Sequence, residues 1–205
     1  MKDYSQNGEQ THILHYFDVM GIERGHLVDL GAGDGRTMSN TRALLDKGWT
    51  GTLLDGDPKG ANDVTQTWIT ADTNFKSLMP AAPEFINLDI DGNDYYVLDE
   101  LLRLFKPALI VAEINPIFLR NEAKVMPYNP DHTWNNDTYY GMSLAACEKL
   151  GKEYGYTLAY LHAGINAFLL RNDFAEKHPE LVRPIEYRKK FDHKPHNPAL
   201  PWQTV

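Results

Sequence analysis

The sequence predicts an α/β protein with a doubly wound, mostly parallel seven-stranded sheet and an antiparallel hairpin near its C-terminal end. Short apolar runs alternate along the chain with segments of helical period, which is the order expected of a parallel sheet covered on both faces. A glycine-rich stretch directly follows the first of these runs. The last two apolar runs are joined only by a short link around Gly164, so they are expected to pair antiparallel.

The individual elements follow from apolar period and from their turn residues. Helical period marks four segments, at residues 9–20, 37–47, 95–105 and 143–154. Buried strands of the parallel part are predicted at residues 26–30, 50–55, 68–70, 85–90 and 108–113. The antiparallel pair is predicted at residues 157–161 and 167–170.

The length of 205 residues fits one large domain. We assign residues 1–175 to it and expect residues 176–205, with five prolines, to form an extended tail that wraps the surface or frays. Residues 115–140 hold prolines and asparagines without a clear period. Irregular inserts of this length inside compact domains are usually functional or disordered.

Composition excludes several classes of protein. With 20 Lys+Arg against 28 Asp+Glu, the formal charge of −8 argues against nucleic-acid or anionic-membrane binding. The single cysteine, Cys147, excludes an internal disulfide framework and a cysteine-based zinc site. No apolar run approaches the roughly 20 residues of a membrane helix, and the polar N-terminus lacks a secretory signal. We therefore expect a cytoplasmic protein.

The first candidate site is the loop after the first strand, where Gly31, Gly33 and Gly35 follow Asp29. Glycines at a strand end allow a tight turn and a close approach of a ligand to the backbone. A dinucleotide fingerprint would place its last glycine at Arg36, so the pattern departs from that motif. An acidic residue before the loop is better suited to a cationic ligand than to a pyrophosphate. A purely structural turn is the alternative.

The second candidate is Asp55, at the end of the second strand. A carboxylate there can accept both hydroxyls of a ribose, as in dinucleotide-binding folds. Asp57 occupies a similar position in the Gly-Asp-Pro turn, and chemistry alone does not separate the two. Position in the strand favours Asp55.

The third candidate is the acidic group Asp89, Asp91 and Asp94 after the fourth strand, with Glu113 and Asn115 after the fifth. Carboxylates this close repel one another unless a cation or a proton relieves them. The group could bind a hard cation such as Mg²⁺ or hold a general base. Asp94 could instead cap the following helix.

These motifs together resemble the FkbM-type branch of class I S-adenosylmethionine-dependent methyltransferases. The resemblance covers residues 4–173 in six separated blocks, among them VDLGAGDGRT, NLDIDGNDYY, VAEINP and GINAFLLRND. It implies a Rossmann-like seven-stranded sheet, S-adenosylmethionine as the methyl donor, and O-methylation of a sugar or another small molecule. By position, the donor would contact Asp29, Gly31, Gly33 and Gly35 with its methionine part, Asp55 with its ribose, and Asp72 and Asn74 near its adenine.

The same resemblance implies a role for the acidic group. In the related macrocin O-methyltransferases, acids after the fourth and fifth strands hold Mg²⁺ beside the acceptor hydroxyls. Asp91 and Glu113 would be the catalytic pair here, and Asn115 stands where the second acid of the usual pair is missing. Asp91, Glu113 and Asn115 are thus the candidate metal ligands, and a metal-free general base is the alternative.

The insert at 115–140 is expected to form a mobile wall of the pocket for a small-molecule or glycan acceptor. Its aromatic residues Trp134, Tyr139 and Tyr140 could line that pocket or pack the loop against the domain. On this expectation, deleting residues 124–135 spares donor binding and abolishes transfer. Two other functions stay open: a nicotinamide-dependent oxidoreductase, disfavoured by Arg36, and a non-catalytic protein that binds S-adenosylmethionine.

Overall fold

A computed structural model describes residues 2–187 and 200–205. The strands are β1 (His26–Leu30), β2 (Thr50–Asp55), β3 (Thr65–Gln66), β4 (Phe85–Leu88), β5 (Leu109–Glu113), β6 (Lys124–Val125), β7 (Tyr156–His162), β8 (Asn166–Arg171) and β9 (Gln203–Thr204). The helices are α1 (Glu9–Met20), α2 (Arg42–Asp46), α3 (Phe75–Leu78), α4 (Asp94–Leu104), α5 (Leu144–Glu153) and α6 (Asn172–Lys177), followed by a 3₁₀ turn at Pro179–Leu181.

The central sheet has seven strands in the order β3-β2-β1-β4-β5-β8-β7. Strands β1 to β5 pair in parallel, and β8 is antiparallel to both β5 and β7. The predicted fold class is therefore confirmed, including the antiparallel hairpin. The strand order reverses direction between β1 and β4, and the crevice at such a switch point is where ligands bind in open α/β sheets.

The core lies on both faces of the sheet because successive residues of a strand point to opposite sides. All five residues of β1 are buried. Val28 and Leu30 pack with the cluster under α4 and α5, whereas Leu27 packs with the cluster under α1. Cys147 lies fully buried on α5 within the first of these clusters. In the described ranges, no helix combines the length and the apolar character needed to cross a bilayer.

Two elements differ from prediction. The helix predicted at 37–47 is reduced to α2, because the Asp34 carboxylate accepts the backbone N–H groups of Arg36 and Thr37 and holds that stretch as a turn. The third strand is β3 rather than 68–70. Trp68 is 55% exposed at the edge of a cavity, and Ile69 is buried in the core, so the apolar character of that segment serves packing rather than pairing.

The described part of the tail packs against the domain. The fully buried Leu181 accepts a hydrogen bond at its carbonyl from the Tyr16 hydroxyl, at 2.6 Å. β9 pairs antiparallel with β6 of the insert, and Trp202 contacts Phe118 and Tyr139 at ring-centroid distances of 4.6 and 5.1 Å. The tail residues His193 and His196 lie outside the described residues.

The hydrogen bond between Tyr16 and Leu181 gives a first prediction. Tyr16→Phe leaves a buried carbonyl without its donor, which costs about 1–2 kcal/mol and lowers Tm by roughly 2–8 °C for a protein of this size. Tyr4→Phe is the control, because the Tyr4 hydroxyl donates to Asp46 in an exposed bond. Thermal unfolding of the two variants checks this expectation, and equal Tm values would contradict it.

Candidate functional site

Two cavities adjoin at the carboxyl edge of the sheet. The first, of about 330 Å³, is bordered by the ends of β2 and β4 and by His132 of the insert. The second, of about 620 Å³, is bordered by the glycine loop, by α1 and by Trp134 of the insert. Gly31, Asp89 and Asp91 line both cavities. The glycine loop and the acidic group predicted from the sequence therefore lie at one continuous site.

The glycine loop is shaped by its contact with the loop after β4. Gly31 has φ +84°, and a Cβ there would lie 1.6 Å from the Asp89 carbonyl oxygen. The N–H groups of Gly31 and Ala32 both donate to the Leu54 carbonyl, at 3.0 and 3.1 Å. Gly33 and Gly35 also have positive φ, at +56° and +68°. The first glycine is thus required by the close approach of two backbones at the centre of the site.

Asp55 lies in the first cavity, at the end of β2. One of its carboxylate oxygens accepts the Gly33 N–H at 2.7 Å, and the other accepts the Asp57 N–H at 2.7 Å. Each carboxylate oxygen can accept more than one hydrogen bond. The bond to Gly33 fixes the carboxylate against the glycine loop and leaves it on the cavity wall.

Asp29 borders the second cavity but is 1% exposed. Its two oxygens accept hydrogen bonds from the Thr41 hydroxyl at 2.6 Å and from the Asn87 amide at 2.8 Å. Burial raises the pKa of this carboxyl, and those two hydrogen bonds oppose the rise. The charge of Asp29 is therefore satisfied inside the protein, and the residue serves to fix the floor of the cavity.

Neither Asp72 nor Asn74 lies among the residues that line the two cavities. The Asp72 carboxylate accepts the Tyr128 hydroxyl at 2.9 Å, and the Asn74 side chain caps α3 by accepting the Ser77 N–H. The resemblance placed both near the adenine. In the structure the residues of this segment that reach the cavity are Trp68 and Ile69.

The acidic cluster consists of Asp89, Asp91 and Glu113, whose carboxylate oxygens lie within 4.8 Å of one another. Burial first, then the neighbouring charges of Asp91 and Asp94, raise the pKa of Asp89 to about 8. Burial and Asp89 likewise raise the pKa of Glu113 well above its ordinary value. Burial and the neighbouring negative charges therefore favour the protonated form of each group. Asp91 has φ +52°, a left-handed conformation that costs a non-glycine residue about 1–3 kcal/mol and is typical of functional sites.

Asp94 and Asn115 serve other purposes. The Asp94 carboxylate accepts the N–H groups of Ile90 and Gly92, at 3.0 and 2.9 Å, so it shapes the loop that carries Asp91 instead of capping α4. The Asn115 side chain donates to two carbonyls of the insert, at residues 138 and 140, and accepts the backbone N–H of residue 117. Asn115 is thus committed to folding the insert, and we leave it out of the candidate cation ligands.

Asp89, which the sequence analysis placed in the acidic group without choosing it as a ligand, takes the place in the cluster that was expected of Asn115. Trp134 borders the second cavity, as one of its two expected uses required. His132, which borders the first cavity, was missed by sequence reasoning, because the insert has no period by which to choose among its residues. Of the expected aromatic residues, Tyr140 is buried in contact with Trp134, and Tyr139 packs against the tail.

No protein-family model and no curated protein match this sequence. Among solved structures, magnesium protoporphyrin IX methyltransferase from Synechocystis PCC 6803 with bound SAH has 13% identity over 80% of this chain and 83% of that chain, at TM-score 0.46. An O-methyltransferase family protein from Burkholderia thailandensis has 14% identity over 80% and 56%, at TM-score 0.46.

The 1,6-didemethyltoxoflavin-N1-methyltransferase from Burkholderia thailandensis has 12% identity over 79% of this chain and 76% of that chain, at TM-score 0.43. These likenesses are distant, with TM-scores below 0.5. The site is therefore interpreted from the residues of this chain alone.

Proposed function

We propose that the chain is an S-adenosylmethionine-dependent methyltransferase of the FkbM type that methylates a hydroxyl of a sugar or another small molecule. The observation that carries the proposal is the hydrogen bond from the Gly33 N–H to the Asp55 carboxylate. It links the ends of the adjacent strands β1 and β2, on the walls of two adjoining cavities. The departure of Arg36 from the dinucleotide fingerprint favours this donor over a nicotinamide cofactor.

The residues present fit such a donor. Four buried polar side-chain atoms lack a hydrogen-bond partner within the described ranges. Two of them, Asn40 Oδ1 and His132 Nε2, belong to residues that line the cavities. A third, Glu113 Oε2, belongs to the acidic cluster between them. Buried polar atoms without partners are costly, and their concentration here points to a polar ligand that supplies the missing bonds.

We place the ribose on Asp55 in the first cavity, and the methionine part along Gly31–Gly35 in the second. The remaining volume of the second cavity, walled by Trp134, is assigned to the acceptor. When bound, the donor supplies a sulfonium whose methyl group is electrophilic. The protein then has two tasks, which are to align the acceptor oxygen and to remove its proton.

We assign the removal of that proton to the acidic cluster. Burial raises the pKa of both Asp89 and Glu113, so either group, once deprotonated, is a stronger base towards the acceptor's proton than an exposed carboxylate. Asp91 faces both cavities and is assigned to orient the acceptor hydroxyl. Proton removal by a positioned side chain contributes about 10²- to 10⁴-fold to rate.

The same three carboxylates also fit a hard cation such as Mg²⁺, which takes oxygen ligands from carboxylates. Asp89, Asp91 and Glu113 would hold it, and its charge would offset the repulsion among them. Exhaustive EDTA treatment followed by Mg²⁺ addition separates the two versions. Loss and recovery of transfer would support the cation, and indifference to EDTA would support a metal-free carboxylate base.

The placement of the ribose gives a second prediction. Asp55→Ala is expected to weaken the binding of S-adenosylhomocysteine by about 1–3 kcal/mol, because charge-assisted hydrogen bonds to the ribose are lost. Asp57 lines the same cavity and is the alternative position, but its backbone N–H, which donates to Asp55, is kept in Asp57→Ala. Asp57→Ala therefore separates the two candidates and is expected to bind more tightly than Asp55→Ala. Calorimetry that finds equal affinities for the two variants would contradict the placement.

Methyl transfer itself is tested by following S-adenosylhomocysteine formation with panels of sugars and small hydroxylated compounds. Turnover with any acceptor would support the enzyme. Donor binding without turnover across the panel would favour the alternative of a non-catalytic binding protein.

A further inference from the structure

We infer that the insert completes the donor site. It orients Trp68 and supplies His132, and both side chains line the first cavity. The insert thereby helps to hold the nucleoside part of the donor. This inference rests on the proposed function. It differs from the expectation stated for the sequence, in which the insert walls only the acceptor pocket.

Trp68 is positioned by the insert. Its indole N–H donates to the Pro130 carbonyl at 2.8 Å, across 62 residues of sequence. Its six-membered ring lies against Gly56, where a Cβ would meet the ring at 2.9 Å. The side chain is 55% exposed, yet it lines the first cavity. A large aromatic face is therefore held at the mouth of the cavity by one bond from the insert.

His132 enters the same cavity from the insert. Its ring lies against Gly92, where a Cβ would come within 2.9 Å of the imidazole Cδ2. Nε2 is buried and has no hydrogen-bond partner among the described residues. An unpartnered ring nitrogen at the cavity wall is suited to bond with the polar edge of a base.

Hydrogen bonds attach the insert to both sides of the cavity. Asn93 and Asn129 exchange two hydrogen bonds, of 2.8 and 3.1 Å, on the side of the loop after β4. The Gly141 N–H donates to the Gly92 carbonyl at 3.0 Å on that same side. On the opposite side, two more hydrogen bonds attach the insert. The Tyr128 hydroxyl donates to the Asp72 carboxylate, and the Trp68 indole N–H donates to the Pro130 carbonyl.

The chemistry of the walls indicates which part of the donor lies there. Trp68, Ile69 and Ile90 give the cavity apolar surface, and the unpartnered imidazole of His132 lies beside them. The cavity is also lined by Asp55, Asp57, Asp89, Asp91 and Asn93. An aromatic surface next to polar groups suits a planar heteroaromatic ring, because bases stack on aromatic side chains. This combination fits the adenine of the donor, with Asp55 nearby for its ribose.

Titration calorimetry on the full chain tests the inference, with S-adenosylhomocysteine and with 5′-methylthioadenosine, which keeps the nucleoside and lacks the amino-acid part. Trp68→Phe keeps an aromatic ring but removes the bond to Pro130, and we expect about threefold to tenfold weaker binding of both ligands. His132→Ala is expected to weaken both by about tenfold. Tyr4→Phe, which removes an exposed hydrogen bond to Asp46 outside both cavities, is the control and should change neither by more than about twofold.

The outcomes separate the inference from the proposed function. If the unmodified chain fails to bind S-adenosylhomocysteine, the proposed function fails. If the unmodified chain binds it and Trp68→Phe and His132→Ala bind it equally well, the inference is overturned. A loss confined to S-adenosylhomocysteine, with methylthioadenosine unaffected, would also overturn it, because the lost contact would then lie outside the nucleoside. Trp68→Phe changes a half-exposed side chain and is expected to fold normally. It therefore still tests the inference if His132→Ala folds poorly.

Discussion

Gly31→Ala is expected to destabilise the protein by about 3 kcal/mol or more and to abolish donor binding. The added Cβ would lie 1.6 Å from the Asp89 carbonyl oxygen, a backbone atom that yields only if the loop after β4 moves. Overpacking of this kind costs about 1–3 kcal/mol, and φ +84° adds strain of similar size for a residue with a side chain. Movement of that loop would also displace the acidic cluster.

Gly33→Ala is the matched control for this prediction. Gly33 also has positive φ, but a Cβ there meets nothing within 4 Å, so only the backbone strain of about 1 kcal/mol remains. Urea unfolding gives both free energies. Equal losses of stability in the two variants would show that the contact with Asp89 does not explain the need for glycine at residue 31.

Glu113→Gln is expected to lower the rate of methyl transfer by about 10²- to 10⁴-fold, because the amide cannot take a proton. Donor affinity should stay nearly unchanged, since Glu113 lies outside the residues that line the first cavity. Glu100→Gln is the control, as Glu100 forms an exposed pair with Arg103 on α4. The unmodified enzyme should gain activity as the pH rises, because the base must be deprotonated and burial raises the pKa of Glu113 well above its ordinary value. Full activity of Glu113→Gln would remove Glu113 from the mechanism.

The raised pKa of Asp89 also affects stability. The folded-state pKa of Asp89 lies above its unfolded value, so the folded protein binds the extra proton, and the resulting stabilisation is lost as the pH rises through about 8. Asp89→Asn removes this titration. Its free energy of unfolding should therefore fall less between pH 6 and 9 than that of the unmodified protein. Parallel pH dependences would contradict the raised pKa.

The sheet could be predicted because its signals are local. Short apolar runs that end at glycine or acidic residues mark three strands, β1, β2 and β4. Their parallel pairing follows from the helices that separate them along the chain. Trp68 misled the prediction because its apolar surface is used at a cavity and not in a strand. Sequence pattern alone does not distinguish these two uses.

The candidate site was predictable as a region, and less so in its individual bonds. Asp55, Gly31 and Gly33 fall on the cavity walls, since strand ends determine where they lie. Gly35, also expected to contact the donor, lies outside the residues that line the two cavities and faces Leu53 and Val64. Asp29 was expected to attract a cation, but its charge is satisfied by Thr41 and Asn87, which are distant in sequence. The contribution of His132 depends on how the insert folds over the sheet, and no periodic pattern encodes that path.

The central claim is that the site takes an S-adenosyl donor, and the most direct measurement is calorimetric titration of the unmodified chain with S-adenosylhomocysteine and, separately, with NAD⁺. The account predicts saturable binding of S-adenosylhomocysteine at one site per chain and no binding of NAD⁺ under the same conditions. Binding of NAD⁺ alone, or of neither compound, would contradict it.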